Sequence, residues 1–386
     1  MNGETRGGHG SMSTRGDQLR DSSSLQESHL PFHVIALLVA CAAGLATEAW
    51  AQMRSGGAPS FRPAPPGVSG LSPEDIVPLP GTKWLIAGAA SKADGGGRTG
   101  LALINTANPS DVRPLYPASL ATNDWDRERF RDCPGPPTID LGTHGINIER
   151  LADGSYDLMS INHHGRESVE IFHLDQSTPA PRAIWRGCVL MPGAASGNSI
   201  APLPNHAGYV VTNFYQKDDP HYLQSMENGT ATGNVLKWTP TTGWSPVSSQ
   251  QFSGANGAEI TSDGKWLFVS EWSDYKVWKL SLNENTPPQS VHLDFLPDNL
   301  RLTDRGTILI AGQNADPVNV MTCRTKHVPC QASFTVLEMD PATMETRVLV
   351  RGGGGDFGGA TGAAIVDRFL WISSYYAGQV ARYAPN

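Results

Sequence analysis

Apolar residues along this chain gather in short runs broken by Gly, Asp and Asn, and they do not fall at helical three- and four-residue spacing. One arrangement recurs six times: a short apolar strand, a polar turn, then a second apolar strand. The copies run Ile76–Gly88, Ile148–Asn162, Ile200–Asn213, Ile260–Glu271, Leu300–Gly312 and Ala363–Ser374. Each is followed by a further strand, over Gly100–Thr106, Ser168–Leu174, Asn234–Thr239, Tyr275–Leu280, Phe334–Met339 and Gln379–Tyr383. A single sheet of this kind cannot bury both faces, so recurrence every ~40–75 residues signals radial repetition. The pattern predicts an all-β fold, a six-bladed β-propeller. A multi-sheet sandwich would not repeat one hairpin so regularly.

Composition agrees and narrows the partners. The chain has 386 residues, 39% hydrophobic and 17% charged, with 41 Gly, 29 Pro and 10 Trp, which suits many short strands and turns. Its net charge is −8 with no Lys/Arg cluster, which argues against nucleic acid as a partner. Val34 to Ala46 is an apolar run shorter than the ~20 residues a bilayer span needs, and small residues Ala49-Trp50-Ala51 follow it. This reads as an export signal over residues 1–51, with no transmembrane span. Leu38-Val39-Ala40-Cys41 gives a second reading, a lipoprotein tether through Cys41. Losing residues 1–51, which carry −2, leaves the remainder at −6. Residues 52–70, rich in Gly, Pro and Ser, read as a flexible linker, and 71–386 as the propeller. Beyond the leader stand Cys133, Cys188, Cys323 and Cys330. An even number in an exported chain suggests disulfides; Cys323–Cys330 and Cys133–Cys188 is the preferred pairing of three.

In a propeller the innermost strands start beside the central channel, so polar residues just before them share one cavity. The first five copies offer Glu74-Asp75, His144-Gly145-Ile146, Asn198-Ser199, Asn256-Gly257 and Asp298-Asn299. Carboxylate and amide oxygens are the hard ligands Ca²⁺ takes, six to eight at ~2.3–2.6 Å. One such residue alone is an ordinary turn former; five in register are not. His144 and His163, at strand ends about twenty residues apart, can meet at one mouth of the sheet, where a neutral imidazole can take a proton from water. Histidines capping strand ends are the bland alternative.

These residues, in this order over most of the chain past the leader, resemble the paraoxonase/arylesterase lactonases, calcium-dependent six-bladed propellers. The match includes Ser72-Pro73-Glu74-Asp75, His144-Gly145-Ile146, Asn162-His163 followed by Ser168-Val169-Glu170-Ile171-Phe172, and Asn198. It continues through Thr212-Asn213, Asp219-Pro220-His221-Tyr222-Leu223-Gln224-Ser225, Ala255-Asn256-Gly257, Ser262-Asp263-Gly264-Lys265 and Asp298-Asn299. The resemblance implies a catalytic Ca²⁺ held by Glu74, Asn198, Asn256, Asp298 and Asn299. It implies a dyad in which His144 activates water and His163 holds His144 in position. It also implies a second, structural calcium held by Asp75 and the carbonyl of Ile146. Where the family has a further Asp, this chain has Ser199, a neutral and weaker ligand, so a loosely held or absent second ion is expected. The family's cysteine clamp between the chain ends has no counterpart here, which leaves closure of the last blade open.

The function expected is hydrolysis of lactones, with aryl esters as a side activity, on a small-molecule substrate and with no specific protein partner. In related gluconolactonase-type propellers the metal-bound carboxylate, here Asp298, is the suspected base. The rivals are a gluconolactonase-like sugar lactonase, a strictosidine-synthase-like protein, which would not need this ligand set, and a non-catalytic propeller that binds calcium for stability. The insertion from Phe214 to Thr232 is expected either to roof the pocket or to be a surface loop. The run Gly352–Gly359 lacks the Lys-Ser/Thr ending of a phosphate-binding loop and reads as an inter-blade connection.

Overall fold

In the computed structural model each apolar hairpin forms the inner half of one of six blades; four of the sheets are four-stranded and antiparallel, while those of blades two and six carry a fifth strand, in blade two the parallel Thr122–Asn123. The structure describes residues 61–386 except 65, 90–99, 118–121, 138–140, 284–285, 327–331, 354–356 and 376. The expected leader over residues 1–51 and its Cys41 lie outside the described residues. Blade one has its innermost strand at Pro73–Pro78, blade two at Thr143–Arg150 and blade three at Ala195–Pro202. Blades four, five and six begin at Ala255–Ile260, Leu296–Leu302 and Ala360–Val366. These inner strands adjoin one another around the ring, the sixth lying against the first.

The core lies between blades. Ile76, Leu85, Ile104, Ala364 and Trp371 pack blade one on blade six, and Phe268, Phe295, Ile308 and Ile310 pack blade four on blade five. Each sheet thus buries both faces against neighbours, which explains why the inner strands read as continuous apolar runs. Strands missing from the hydrophobic pattern are the outermost ones, such as Gly243–Phe252 and Gln289–His292, whose residues are mostly polar and at least partly exposed. Little core contact marks them in sequence.

The segment expected to be a flexible linker is corrected over its described part. Phe61–Pro63 pairs antiparallel with the terminal strand Gln379–Pro385, and Val68–Ser69 pairs with Val380 and Gln379. Blade six is therefore completed by residues from before blade one, and this strand pairing joins the last blade to the first. Val68 and Leu71 are buried between the blades, so the segment is anchored despite its Gly and Pro content.

Cys133 and Cys188 form a disulfide, with Cα atoms 5.2 Å apart, as expected. The other preferred pairing includes Cys330, which lies outside the described residues. The glycine-rich run from Gly352 joins the strand ending blade five to the strand opening blade six at Ala360, as an inter-blade connection should.

One irregularity recurs and sets up the site. The innermost strand of every blade breaks register with its neighbour, once in five blades and twice in blade three, where a first shift falls between Ser196 and Gly197. The breaks fall between Pro73 and Asp75, Thr143 and Ile146, Gly197 and Ile200, Ala255 and Ala258, Pro297 and Leu300, and Ala360 and Gly362. In blades two to five, two residues there oppose one on the partner, the arrangement of a β-bulge. The residues left unpaired include Glu74, His144, Asn198, Asn256, Asp298, Asn299 and, in blade six, Thr361.

Candidate active site

A bulge frees side chains from the in-and-out alternation of a strand and re-aims them. Here it turns the polar residue of each blade toward one cavity, lined by Glu74, His144, Asn198, Asn256, Asp298 and Thr361. Asn299 belongs to the same cluster, since its Nδ2 donates to Glu74 Oε1 at 2.6 Å. His144 Nε2 lies 3.7 Å from Glu74 Oε1. Thr361 Oγ1 donates to the Glu74 carbonyl at 2.5 Å and anchors blade one to blade six behind the carboxylate. Blade six offers no acidic or amide residue at this level, which is why its contribution was not foreseen.

Five oxygens distinguish the cluster. Glu74 Oε2, Asn198 Oδ1, Asn256 Oδ1, Asp298 Oδ1 and Asn299 Oδ1 are all buried and meet no donor from the protein. One such acceptor left without a partner costs about 1–3 kcal/mol, so five in one place call for an occupant that supplies positive charge. These are the five residues expected to hold a catalytic Ca²⁺, and two carboxylates with three amides form an oxygen donor set of the kind calcium takes. No trio of His, Cys, Asp or Glu gathers into a metal cluster among the described residues. Burial, and then the charges of Asp298 and Asp75, push the Glu74 carboxyl well above the ordinary carboxylate range. Burial likewise raises Asp298. A cation between them would reverse both shifts. The residues fit the ion.

His144 and His163 also come together as expected, with ring centroids 5.0 Å apart and the rings edge to face. His144 sits near the start of the strand Thr143–Arg150, in its bulge. Asn198 Nδ2 donates to His144 Nε2 at 3.1 Å, which leaves Asn198 Oδ1 as the amide's bare oxygen. His163 Nδ1 donates to Glu167 Oε1 at 2.8 Å. Glu167 also accepts from Gly197 N at 2.9 Å and from Lys217 Nζ at 3.1 Å. Burial pushes the Glu167 carboxyl up, but hydrogen bonds from His163 and Lys217 outweigh it and hold it below the ordinary range.

Two further residues hold the site together, Gln313, which the sequence does not single out, and Thr212, to which it assigns no role. Gln313 Nε2 donates to Asp298 Oδ2 and to the Ala360 carbonyl, both at 2.7 Å, and its Oε1 accepts from Trp272 Nε1 at 2.9 Å. Every bond it makes fixes Asp298 with one oxygen held and one bare. Thr212 Oγ1 accepts from Ser199 N at 2.9 Å and donates to the Asn256 carbonyl at 2.5 Å, tying two ligand-bearing bulges together. The walls above are apolar: Phe214, Trp272, Val320 and Met321 line the cavity beside Tyr375. Phe214 and Met226 of the insertion pack with Trp272, Val320 and Met321, so the insertion does help roof the pocket, while Leu223 stays exposed. The helix Pro317–Lys326, which carries Val320 and Met321, is the other half of that roof.

At the second calcium, for which a loosely held or absent ion was expected, the structure brings in a side chain the sequence did not single out. Asp75 and the Ile146 carbonyl do come together, but Arg301 Nη2 donates to both, at 2.7 Å and 3.0 Å. A guanidinium thus stands where an ion was expected, and these two groups do not fit a second calcium. Ser199, the neutral residue that raised the question, has its Oγ engaged by Ala258 N at 3.1 Å.

Comparison with known proteins follows from this geometry. A family model described as arylesterase matches residues 92–376. The chain is 25% identical to serum paraoxonase/lactonase 3 of Rattus norvegicus over 249 residues, 61% of this chain and 67% of that protein. It is 23% identical to serum paraoxonase/arylesterase 2 of Bos taurus over 279 residues, covering 68% of this chain and 76% of the relative. Among solved structures, periplasmic gluconolactonase of Pseudomonas aeruginosa aligns over 81% of each chain with a TM-score of 0.45 and 12% identity.

Proposed function

The chain belongs to the arylesterase family of paraoxonases and lactonases, and from that premise we propose that it is a calcium-dependent hydrolase that opens lactones and cleaves aryl esters as a side activity. One observation carries the reading. Five bare, buried oxygens from four blades surround a space beside a histidine pair. Glu74, Asn198, Asn256, Asp298 and Asn299 would hold the ion, which when bound polarises the ester carbonyl and stabilises the oxyanion formed on it.

The protein's own groups do the rest. His144, next to the ligand oxygens, removes the proton from attacking water as a neutral imidazole. His163 packs its ring against His144 and so limits that ring's rotation. Glu167 fixes His163 in turn, as a carboxylate orients the base in other hydrolytic sites. Phe214, Trp272, Val320 and Met321 give the substrate an apolar wall and keep bulk water out. The disulfide and the export signal read from the sequence both fit an oxidising compartment outside the cytoplasm.

A second reading is favoured by one feature. Asp298 has one oxygen clamped by Gln313 and the other bare, so it too is aimed as a base. His144→Gln separates the two: a variant that keeps most of its lactonase activity would assign the base to Asp298, as in a gluconolactonase-like enzyme. The calcium-dependent activity is tested on a panel of lactones and phenyl esters, before and after chelation. Turnover should vanish with the metal and return with Ca²⁺. A calcium-stabilised binding propeller would instead melt earlier in chelator and turn over nothing in either state.

A further inference from the structure

Below the bare oxygens, the inner strands of four blades meet around one buried side chain. Arg301, on the inner strand of blade five, is only 6% exposed. Its Nη2 reaches Asp75 Oδ2 of blade one at 2.7 Å and the Ile146 carbonyl of blade two at 3.0 Å. Its Nη1 faces Glu259 Oε2 of blade four at 3.8 Å, an ion pair longer than a hydrogen bond, and Nη1 and Nε themselves make no hydrogen bond. One guanidinium therefore draws together two carboxylates and a carbonyl that belong to three other blades.

The oxygens at this level differ from those above. Asp75 Oδ1 accepts from Ile76 N at 2.8 Å, and Oδ2 accepts from Ile146 N at 3.1 Å as well as from Arg301. Glu259 Oε1 accepts from Ile260 N and Oε2 from Leu302 N, both at 3.1 Å. Ser199 Oγ is taken by Ala258 N. No oxygen named here lacks a donor, whereas five in the upper cluster do. The two levels sit in one channel, built from the same strands, yet only one asks for a cation.

We propose that the Arg301 guanidinium takes the place of a structural cation in this protein, closing the centre of the ring with a fixed side chain instead of a second metal ion. The ring's central cross-link is thereby encoded in the chain and does not depend on calcium supply. The fork of a guanidinium suits this role, since it can engage several acceptors at once and does not lose its charge. Asp75 and Glu259 together carry more negative charge than the guanidinium cancels, so removing Arg301 should leave an oxygen site receptive to a divalent ion.

The test counts calcium bound per folded chain by equilibrium dialysis in wild type, R301S and R301K. R301S should hold one ion more than wild type. In chelator it should melt several degrees below wild type, and calcium should raise its melting temperature by more than it raises that of wild type. R301K, which keeps the charge, should keep the wild-type count. Equal counts in wild type and R301S, or two ions in wild type, would overturn the inference. Should R301S fail to fold in chelator, refolding it in calcium supplies its count. The difference between the variants does not depend on turnover, so a protein without lactonase activity would leave this inference standing, and a failed count would leave the proposed activity standing.

Discussion

Glu167 has its two oxygens on three donors from separate parts of the site: His163 Nδ1, Gly197 N and Lys217 Nζ. It touches no ligand residue directly, so its role is to position His163 and through it His144. Its carboxyl is held below the ordinary range, so it is charged at neutral pH. The stability from its pairings is present above the unfolded carboxyl's pKa and is lost only as pH falls through the lower folded value. E167Q keeps the shape and removes the charge. We expect kcat to fall about tenfold, a fraction of the ~10²–10⁴ a general base contributes, with KM little changed. The acid limb of the pH–rate profile should also move to lower pH, because a negative charge that favours protonation of a nearby base is gone; E167D should restore part of both. An unchanged pH profile in E167Q would reduce Glu167 to a structural role. At this scale the ligand residues were legible because they recur at one position of a repeat. Glu167, Gln313, Thr361 and Arg301 were not. Each acts on another blade or another strand, and nothing in the spacing of a single repeat marks such a contact.

The inner strand is the element that converts a repeat into a site, and its glycines show how closely the blades approach there. A Cβ on Gly257 would lie 2.3 Å from the Asp298 carbonyl and 2.8 Å from Leu300 N, and one on Gly145 would lie 2.5 Å from the Asn198 carbonyl. In both cases the clash is with backbone of the next blade's bulge, which has no rotamer to give way. G257A must therefore push the Asp298-Asn299 bulge outward. A displacement near 1 Å at reacting groups can cost about 10²-fold in rate. We expect kcat/KM to fall on that order, together with weaker calcium binding by titration calorimetry and a lower melting temperature. Wild-type calcium affinity in G257A would show that the bulge is not held by this contact. The hairpins themselves were readable from apolar runs, since each is buried on both faces. The bulges were not, because a two-for-one register break leaves no mark in residue type beyond Asn, Asp and Gly, which also build ordinary turns. The roof helix Pro317–Lys326 was hidden too: it buries its Val320 and Met321 against Phe214, Met226 and Trp272, but Val318 is exposed and its mean apolar signal is weak.

At the scale of the whole ring, closure decides whether the six blades hold one channel geometry. A propeller closed only by adjacent inner strands could open at the seam between the last blade and the first. Here that seam is covered twice. Phe61–Pro63 adds the outer strand of blade six and Val68–Ser69 pairs beside it, while Val68 and Leu71 are buried in the cluster shared by blades six and one. Glu74 follows three residues after Leu71, so the clasp leads directly into the first ligand-bearing bulge. The blades are legible in the sequence and this stretch is not, because Gly and Pro dominate it and a three-residue strand has no periodicity to detect. A chain starting at residue 72 should therefore lose two buried aliphatic side chains, about 1.5–3 kcal/mol each, along with the ladder to blade six. Compared with a chain starting at Ala58, it should melt at lower temperature. It should also bind calcium more weakly, since the strand carrying Glu74 loses its anchor. A shorter chain that melts lower yet keeps full calcium affinity would mean that the clasp stabilises the seam without setting the geometry of the channel mouth. Equal melting temperatures would mean that the inner strands close the ring unaided.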